Sequence, residues 1–228
     1  LWVHFMDPHG PYQAEPLPRA GGDSLPDTVL PVSPTNYGLG VIPKYQALPG
    51  LDRARDYRSR YRGEVRFTDE QVGRLLATLD QLDLRQRTVV VLTADHGESL
   101  GEHDLYFQHG WFLFDDSARV PLLVHVPGVA PRRVSEPVSL VDLMPTILAG
   151  LDLPVPAGVE GRDLRPALAG AALPPAPVFG VSAYLNQLAS VRLGSWKLIH
   201  TPGPPREQRE NDPWAAYYAR QPSYALYD

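Results

Sequence analysis

The chain has 228 residues, of which 43% are hydrophobic and 21% charged, which suffices for one domain of ordinary size and excludes wholesale disorder. Its 21 basic and 26 acidic residues give a net charge of −5, so a dedicated nucleic-acid-binding protein is not expected. The absence of cysteine excludes a disulfide framework, a thiolate metal site and a cysteine nucleophile within these residues. The apolar runs are far too short to span a membrane.

The first part of the chain predicts a strand, a loop and a helix. Residues 1–6 are apolar and aromatic and predict a buried strand that ends in Asp7-Pro8-His9. Residues 13–50 contain many prolines and glycines, which favour a long surface loop. From Tyr57 to Leu84 apolar residues recur with the 3.6-residue period of a helix.

The middle of the chain predicts two strands and a second helix. The valine-rich run Thr88–Ala94 is typical of a strand buried on both faces, and residues 121–126 predict another short strand. Residues 141–151 predict a short helix with Gly150 as its C-terminal breaker.

The last part of the chain differs in composition. Residues 152–177 are again rich in proline and glycine and predict a linker. Beyond it, short apolar runs separated by turns predict a small antiparallel sheet with strands at 178–183, 190–193 and 196–200.

Polar side chains follow predicted strands in three places, at Asp7-Pro8-His9, at residues 95–98 and at residues 103–109. In open α/β sheets ligands bind at the carboxyl ends of strands. Asp95 and His96 can both turn toward one ion and offer it an oxygen and a nitrogen ligand, and Gly97 would permit the tight bend that this needs. The alternative is that Asp95 caps a helix while His96 packs in the interior.

Residues 92–103, LTADHGESLGEH, resemble the metal-binding strand end of the sulfatase family, within the alkaline phosphatase superfamily. Other segments resemble the same family in the same order along the chain: residues 1–12, 61–82, 109–123, 141–146 and 161–164.

The resemblance implies an α/β fold of the alkaline phosphatase type. A central mixed, mostly parallel sheet flanked by helices would belong to a catalytic domain at residues 1–170. A small antiparallel sheet would form a C-terminal subdomain at residues 171–228.

The resemblance also implies an active site. Asp95 and His96 would hold one divalent metal, most commonly Ca²⁺ in sulfatases and often Mn²⁺ or Zn²⁺ in phosphonate- and phosphodiester-cleaving relatives. His9 and His109 would bind the sulfuryl oxygens, and one of them would protonate the leaving alkoxide. The substrate would be a small-molecule or carbohydrate sulfate ester, and the family habit favours a periplasmic or secreted location.

The chain departs from the family pattern at the nucleophile. The formylglycine of sulfatases is made from the first residue of a Cys/Ser-x-Pro-x-Arg motif, and neither that motif nor the upstream aspartate pair is present. We therefore expect these residues alone to be inactive. A lysine common near His109 in the family is also missing from residues 106–108, so positive charge there would depend on protonated His109.

Two other functions fit the same residues. One is a phosphonate or phosphodiester hydrolase, or a phosphoglycerol transferase, of the same superfamily. The other is a non-catalytic domain that keeps the fold for binding.

Overall fold

The computed structural model describes residues 1–17, 24–182, 188–202, 217 and 220–228. The α-helices are α1 (Ala54–Gln81), α2 (Asp115–Ala118), α3 (Leu143–Gly150) and α4 (Arg165–Leu168). The strands are β1 (Val90–Thr93), β2 (Ser99–Leu100), β3 (Tyr106–Gln108), β4 (Leu122–His125), β5 (Val178–Val181), β6 (Ala189–Leu193), β7 (Trp196–His200) and β8 (Tyr224–Tyr227). Short 3₁₀ turns lie at Lys44–Gln46, Arg85–Arg87, Glu102–Asp104 and Leu140–Asp142. No helix in these ranges has the length and apolar character needed to cross a membrane.

The chain divides into two compact units. The first comprises Leu1–Thr88, His96–His109 and Phe114–Arg119, and the second comprises Val89–Asp95, Gly110–Leu113 and Val120–Asp228. The predicted domain boundary between residues 170 and 171 remains a prediction.

Helix α1 of the first unit confirms the helix predicted from Tyr57 to Leu84, although it begins and ends three residues earlier. Its buried positions are in the first half and include Tyr57, Arg58 and Glu64. The predicted apolar face is partly exposed along the second half, where Leu75 is one example. Burial along α1 is therefore set by what packs on it locally rather than by the periodicity alone.

The core of the first unit is aromatic. It consists of the fully or almost fully buried residues Tyr12, Leu30, Ile42, Ala54, Tyr57, Tyr106 and Phe107. The prediction that residues 13–50 form a surface loop is thus wrong for much of that segment, which contributes Leu30 and Ile42 to the core. Its backbone is tied down, since Ser33 N–H donates to the Ile42 carbonyl at 2.8 Å and so satisfies groups that burial would otherwise penalise.

A short antiparallel pair positions the polar residues of the first unit. In β2 and β3 Ser99 lies opposite Gln108 and Leu100 lies opposite Tyr106. Glu98 directly precedes the pair and His109 directly follows it. Because the two strands run antiparallel, these two side chains are brought to the same end of the ladder.

The opening run does not form the predicted buried strand. Residues 1–6 contain no regular secondary structure, and 87% of Trp2 is exposed. A strand requires a neighbour that satisfies its backbone N–H and C=O groups, and no strand of the described residues pairs with this run.

The second unit contains β1 and β4, which confirm two predicted strands but pair antiparallel, with Val91 opposite Val124. The central, mostly parallel sheet is not confirmed, because every sheet formed by the described strands is antiparallel. A parallel pair needs a crossover that returns the chain to the same end, usually through a long helix. The one α-helix in the connection between β1 and β4 is the four-residue α2, which follows β2, β3 and a 3₁₀ turn. Val89 is 40% exposed, so the predicted burial of this run on both faces is also wrong in part.

Helix α3 confirms the helix predicted for residues 141–151 but not its stop signal. The helix includes Gly150, and Asp152 is the residue that takes the left-handed conformation, with φ +56°. Residues 152–177 are not a simple linker, since they supply the buried residues Leu164, Ala167 and Leu173 of a small apolar cluster.

The C-terminal antiparallel sheet is confirmed, with strand order β5-β6-β7-β8. Strands β5, β6 and β7 match the predicted positions, and β8 was not anticipated because the run Tyr224–Tyr227 is short. Part of the predicted span 178–183 lies outside the described residues.

Candidate functional site

His9 lies in a tight turn of the first unit. The turn is closed by the hydrogen bond from His9 N–H to the Met6 carbonyl, at 2.8 Å. Gly10 packs so closely on Gln46 that an added Cβ would lie 2.0 Å from its Nε2. Any larger residue would force the Gln46 side chain to shift, and the turn that carries His9 packs against this buried side chain.

His96 lies in a second turn, which is fixed against α2. Gly97 N–H donates to the Ser117 carbonyl at 2.7 Å, and a Cβ on Gly97 would lie 2.1 Å from the Asp116 carbonyl oxygen. Gly97 has no positive φ. The tight bend at Gly97 stays a prediction, and the feature that requires glycine here is the close approach of two backbones.

Three imidazole rings meet in the first unit. The ring centroids of His96 and His109 are 3.8 Å apart with the planes 20° from parallel. Those of His9 and His109 are 5.3 Å apart at 67°. The His109 ring is thus close to both other rings. Three of the four predicted site residues come together in the fold, although His9 and His109 are about one hundred residues apart in the sequence.

The same ring nitrogen is engaged in all three histidines. Nδ1 of His9 lies 2.8 Å from the Gly10 carbonyl oxygen, and Nδ1 of His96 lies 2.8 Å from the Gly97 carbonyl oxygen. Nδ1 of His109 lies 3.3 Å from Oε2 of Glu98. A carbonyl or carboxylate oxygen only accepts, so each Nδ1 carries the proton and a neutral ring has its lone pair on Nε2.

The negative charge of Glu98 acts on three tyrosines around the site. Burial, and then the Glu98 carboxylate, raise the pKa of Tyr45 and of Tyr61 to about 12. Burial and Glu98 together also raise the pKa of Tyr12 well above its usual range. These tyrosines therefore stay neutral at physiological pH.

Phe107, two residues before His109, has an unusual backbone conformation with φ +54°. Its carbonyl oxygen accepts hydrogen bonds from the Tyr45 hydroxyl at 3.0 Å and from Gln46 Nε2 at 3.3 Å. A bulky residue with positive φ is costly unless its surroundings hold it there. Tyr45 and Gln46 are the residues that do so.

Asp95, the fourth predicted site residue, lies two residues after the end of β1 and is exposed. No group of three or more His, Cys, Asp or Glu side chains within the described ranges is arranged as a metal site. The two predicted ligands nevertheless suit a divalent cation. The Nδ1 contact of His96 with a backbone carbonyl fixes the ring in the form that metal-binding histidines use, with Nε2 as the donor atom.

Sequence reasoning did not assign a role to Glu98, Tyr45 or Gln46. Glu98 stands beside the predicted pair Asp95-His96 and could have been found from that proximity. Tyr45 and Gln46 lie in residues 13–50, whose composition predicts a surface loop, and no sequence pattern identifies these two residues.

A cavity of about 480 Å³ opens beside His9 in the first unit. Its wall includes Met6, Gly10, Glu64 and Phe67. The cavity thus gives the exposed His9 ring a neighbouring concave surface.

Three imidazole rings with an adjacent carboxylate, at the end of a strand pair, are groups that can take part in general acid–base chemistry. The chain belongs to the sulfatase family, whose model matches residues 1–153. It is 32% identical over 165 residues to an ulvan-active sulfatase of Formosa agariphila, covering 71% of this chain and 30% of that protein. It is 30% identical over 224 residues to the choline-sulfatase of Rhizobium meliloti, covering 88% of this chain and 41% of that protein.

Solved structures agree with the family. A protein in complex with its substrate D-glucosamine-2-N,6-O-disulfate is similar with a TM-score of 0.57 and 25% identity, over 77% of this chain and 34% of that one. The phosphonate monoester hydrolase of Silicibacter pomeroyi is similar with a TM-score of 0.60 and 25% identity, over 80% and 43%. The fold is therefore of the alkaline phosphatase type, and the chain spans less than half the length of these relatives.

Proposed function

We propose that this chain carries part of the active site of a sulfuric ester hydrolase. The observation that carries the proposal is the meeting of His9, His96 and His109, with ring centroids 5.3 and 3.8 Å from the central His109. Family membership makes sulfate esters the first substrate class to consider.

His9 and His109 are the proposed catalytic and substrate-binding residues. With Nδ1 engaged by an oxygen acceptor in each ring, protonated Nε2 atoms would donate hydrogen bonds to the sulfuryl oxygens. One of the two rings would then pass its proton to the leaving alkoxide. Such general acid catalysis contributes about 10²–10⁴-fold in rate.

Asp95 and His96 would hold a divalent cation. Sulfatase membership makes Ca²⁺ the first candidate, and Mn²⁺ or Zn²⁺ are the alternatives because an imidazole ligand suits them better. A bound cation would neutralise charge on the sulfuryl oxygens and polarise them as a Lewis acid.

The nucleophile would come from outside these residues, as a formylglycine made from Cys or Ser. The match with this chain spans only 30% and 41% of the two bacterial sulfatases. A longer gene product could therefore contain such a segment. The central parallel sheet implied by the family would likewise need strands beyond the described ones, in a domain that ends near residue 170.

A carbohydrate sulfate ester is the substrate class we favour. One relative is active on ulvan, and one structural neighbour holds a disulfated glucosamine. Small-molecule sulfate esters are the alternative, since another relative is a choline-sulfatase.

Hydrolysis of phosphonate monoesters is the second candidate. This candidate is supported by the structural similarity between this chain and the Silicibacter pomeroyi phosphonate monoester hydrolase, which has a TM-score of 0.60. Both reactions would use the same anion-binding histidines, and they differ in the central atom that is attacked, sulfur or phosphorus.

The experiment compares substrates with the full gene product that carries this chain. Values of kcat/KM are measured for 4-nitrophenyl sulfate and 4-nitrophenyl phenylphosphonate, before and after treatment with a chelator and with Ca²⁺, Mn²⁺ or Zn²⁺ added back. We expect the sulfate ester to be cleaved faster and the activity to return with one metal. A faster phosphonate reaction would move the assignment to the second candidate, and no turnover of either ester or of a sulfated sugar would favour a non-catalytic domain.

A further inference from the structure

Glu98 is buried next to His109 and has a role still to be explained. Only 5% of the Glu98 side chain is exposed, against 22% for His109, and Oε2 lies 3.3 Å from Nδ1 of the ring. The residue directly precedes β2, and His109 directly follows β3. The antiparallel ladder therefore holds the carboxylate and the ring side by side.

The hydrogen bonding of Glu98 is unlike that of a structural carboxylate. Its second oxygen, Oε1, is buried and has no hydrogen-bond partner in the described part of the chain. Glu64 in the same unit shows the contrast. Its Oε1 accepts the backbone N–H groups of Gln13 and Ala14 at 2.6 and 2.7 Å. A buried carboxylate oxygen without a hydrogen-bond partner costs stability.

The side chain of Tyr12 is a neutral neighbour of the Glu98 carboxylate. The Tyr12 hydroxyl is also buried and unpartnered among the described residues, and Glu98 contributes to the raised pKa of this tyrosine, after burial. Tyr12 therefore stays neutral beside the Glu98 anion. The His109 ring has Nδ1 at 3.3 Å from Oε2 of Glu98, so this carboxylate is placed to orient the ring.

We propose that Glu98 is the positioning residue of His109. By accepting the hydrogen bond from Nδ1–H, it fixes both the rotation of the ring and the tautomer that presents Nε2 to the reacting group. Glu98 itself does not touch the substrate. The proposal deepens the proposed function and rests on it, because His109 must act at the sulfuryl group for the position of its ring to matter in catalysis.

Two substitutions separate positioning from structure. Glu98→Leu removes the acceptor in a side chain of similar size, and Glu98→Gln keeps an uncharged acceptor. Glu64→Leu is the matched control, because it removes a buried carboxylate that has structural partners. All three are made in the full gene product.

The first readout is the tautomer of His109, measured from the ring ¹⁵N shifts of histidine-labelled protein and assigned with His109→Ala. We expect the Nδ1–H form in the wild type, loss of that single form in Glu98→Leu and its recovery in Glu98→Gln. An unchanged His109 tautomer in Glu98→Leu would overturn the proposal. This readout is independent of turnover, so it decides the role of Glu98 even if no sulfatase activity is found.

The second readout is kinetic and thermal. We expect kcat to fall by about 10–100-fold in Glu98→Leu with KM changed much less, and Glu98→Gln to recover part of the loss. The thermal midpoint should stay near that of the wild type in Glu98→Leu and fall in Glu64→Leu. A fall of the midpoint in Glu98→Leu as large as that in Glu64→Leu, with kcat unchanged, would show a structural role and contradict the proposal.

Discussion

The Tyr45 hydroxyl donates a 3.0 Å hydrogen bond to the carbonyl oxygen of Phe107, whose φ is +54°. This contact joins the 3₁₀ turn Lys44–Gln46 to strand β3, which ends one residue before His109. Phe107 is fully buried and stacks on Tyr57 with ring centroids 4.8 Å apart. The unusual backbone is thus held from both its carbonyl and its side chain, and it sets where the chain enters the candidate site.

Tyr45→Phe tests this contact with one atom removed. The Phe107 carbonyl would lose its shorter hydrogen bond, so we expect the free energy of unfolding to fall by about 1 kcal/mol. Urea denaturation measures the change. Tyr224→Phe, at a tyrosine that is 64% exposed, is the matched control and should change stability by less than about 0.5 kcal/mol. Equal effects of the two variants would show that the contact does not hold Phe107.

The raised pKa of Tyr45 and of Tyr61 predicts a loss of stability in alkali. Both are about 12 in the folded protein, against about 10 in an unfolded chain. Above pH 10 the unfolded state loses these protons first, so stability is complete below pH 10 and falls as the pH rises toward 12. The rings are only partly buried, so we expect a loss of roughly 1–2 kcal/mol between pH 9 and pH 11.

The alkaline loss is measured by urea denaturation at the two pH values. In Tyr45→Phe/Tyr61→Phe the loss should be clearly smaller than in the wild type. An identical pH dependence in both proteins would mean that other groups cause it.

Asp83→Gly is expected to stabilise the protein. Asp83 follows the end of helix α1 and has φ +52°. Leu84 N–H donates to the Leu79 carbonyl at 2.8 Å, and Asp83 N–H donates to the Asp80 carbonyl at 3.1 Å. This is the Schellman arrangement, in which glycine is preferred at the left-handed position. We expect a gain of about 0.5–1 kcal/mol.

The control for this prediction is the same substitution inside α1. Asp69→Gly places glycine at an exposed interior position of the helix and should cost about 0.3 kcal/mol, because glycine has a lower helix propensity than aspartate. Thermal unfolding of both variants gives the sign, and destabilisation by Asp83→Gly would contradict the interpretation.

Asp142→Asn is expected to destabilise the second unit. The carboxylate is buried and accepts the N–H groups of Ser139 at 2.9 Å and Arg162 at 2.7 Å, with the Arg162 guanidinium at 3.3 Å. An amide turns one acceptor into a donor that faces another donor, at a cost of about 2–4 kcal/mol. Asp163→Asn breaks only the partly exposed pair with Arg165 and should cost under about 1 kcal/mol. Similar losses in the two variants would contradict the assignment.

Local sequence patterns predicted the positions of the helices and strands better than they predicted which strands pair. Helix α1 and strands β5 to β7 were predictable because period and turn residues are local properties. The antiparallel pairing of β1 with β4 depends on the path of the 28 residues between them, which no local pattern specifies. Residues 13–50 look polar and irregular, yet Ile42 and Gln46 are fully buried, because packing with Tyr12 and Tyr57 is decided by the tertiary fold.

The candidate site was predictable only in part for the same reason. The resemblance supplied His9, His96 and His109, and the structure brings their rings together. The carboxylate that orients His109 and the donors that hold Phe107 come from contacts that separate sequence segments make in three dimensions. Such tertiary contacts produce no repeating pattern in the amino-acid sequence.

The account rests on His109 acting in sulfate ester hydrolysis, and kcat/KM of the full gene product toward 4-nitrophenyl sulfate tests this most directly. The variants are His109→Ala and, as the control, His4→Ala at an exposed histidine outside the three-ring cluster. We expect His109→Ala to lower kcat/KM by about 10²–10⁴-fold and His4→Ala to leave it within about twofold of the wild type. Equal activity of His109→Ala and the wild type would contradict the account.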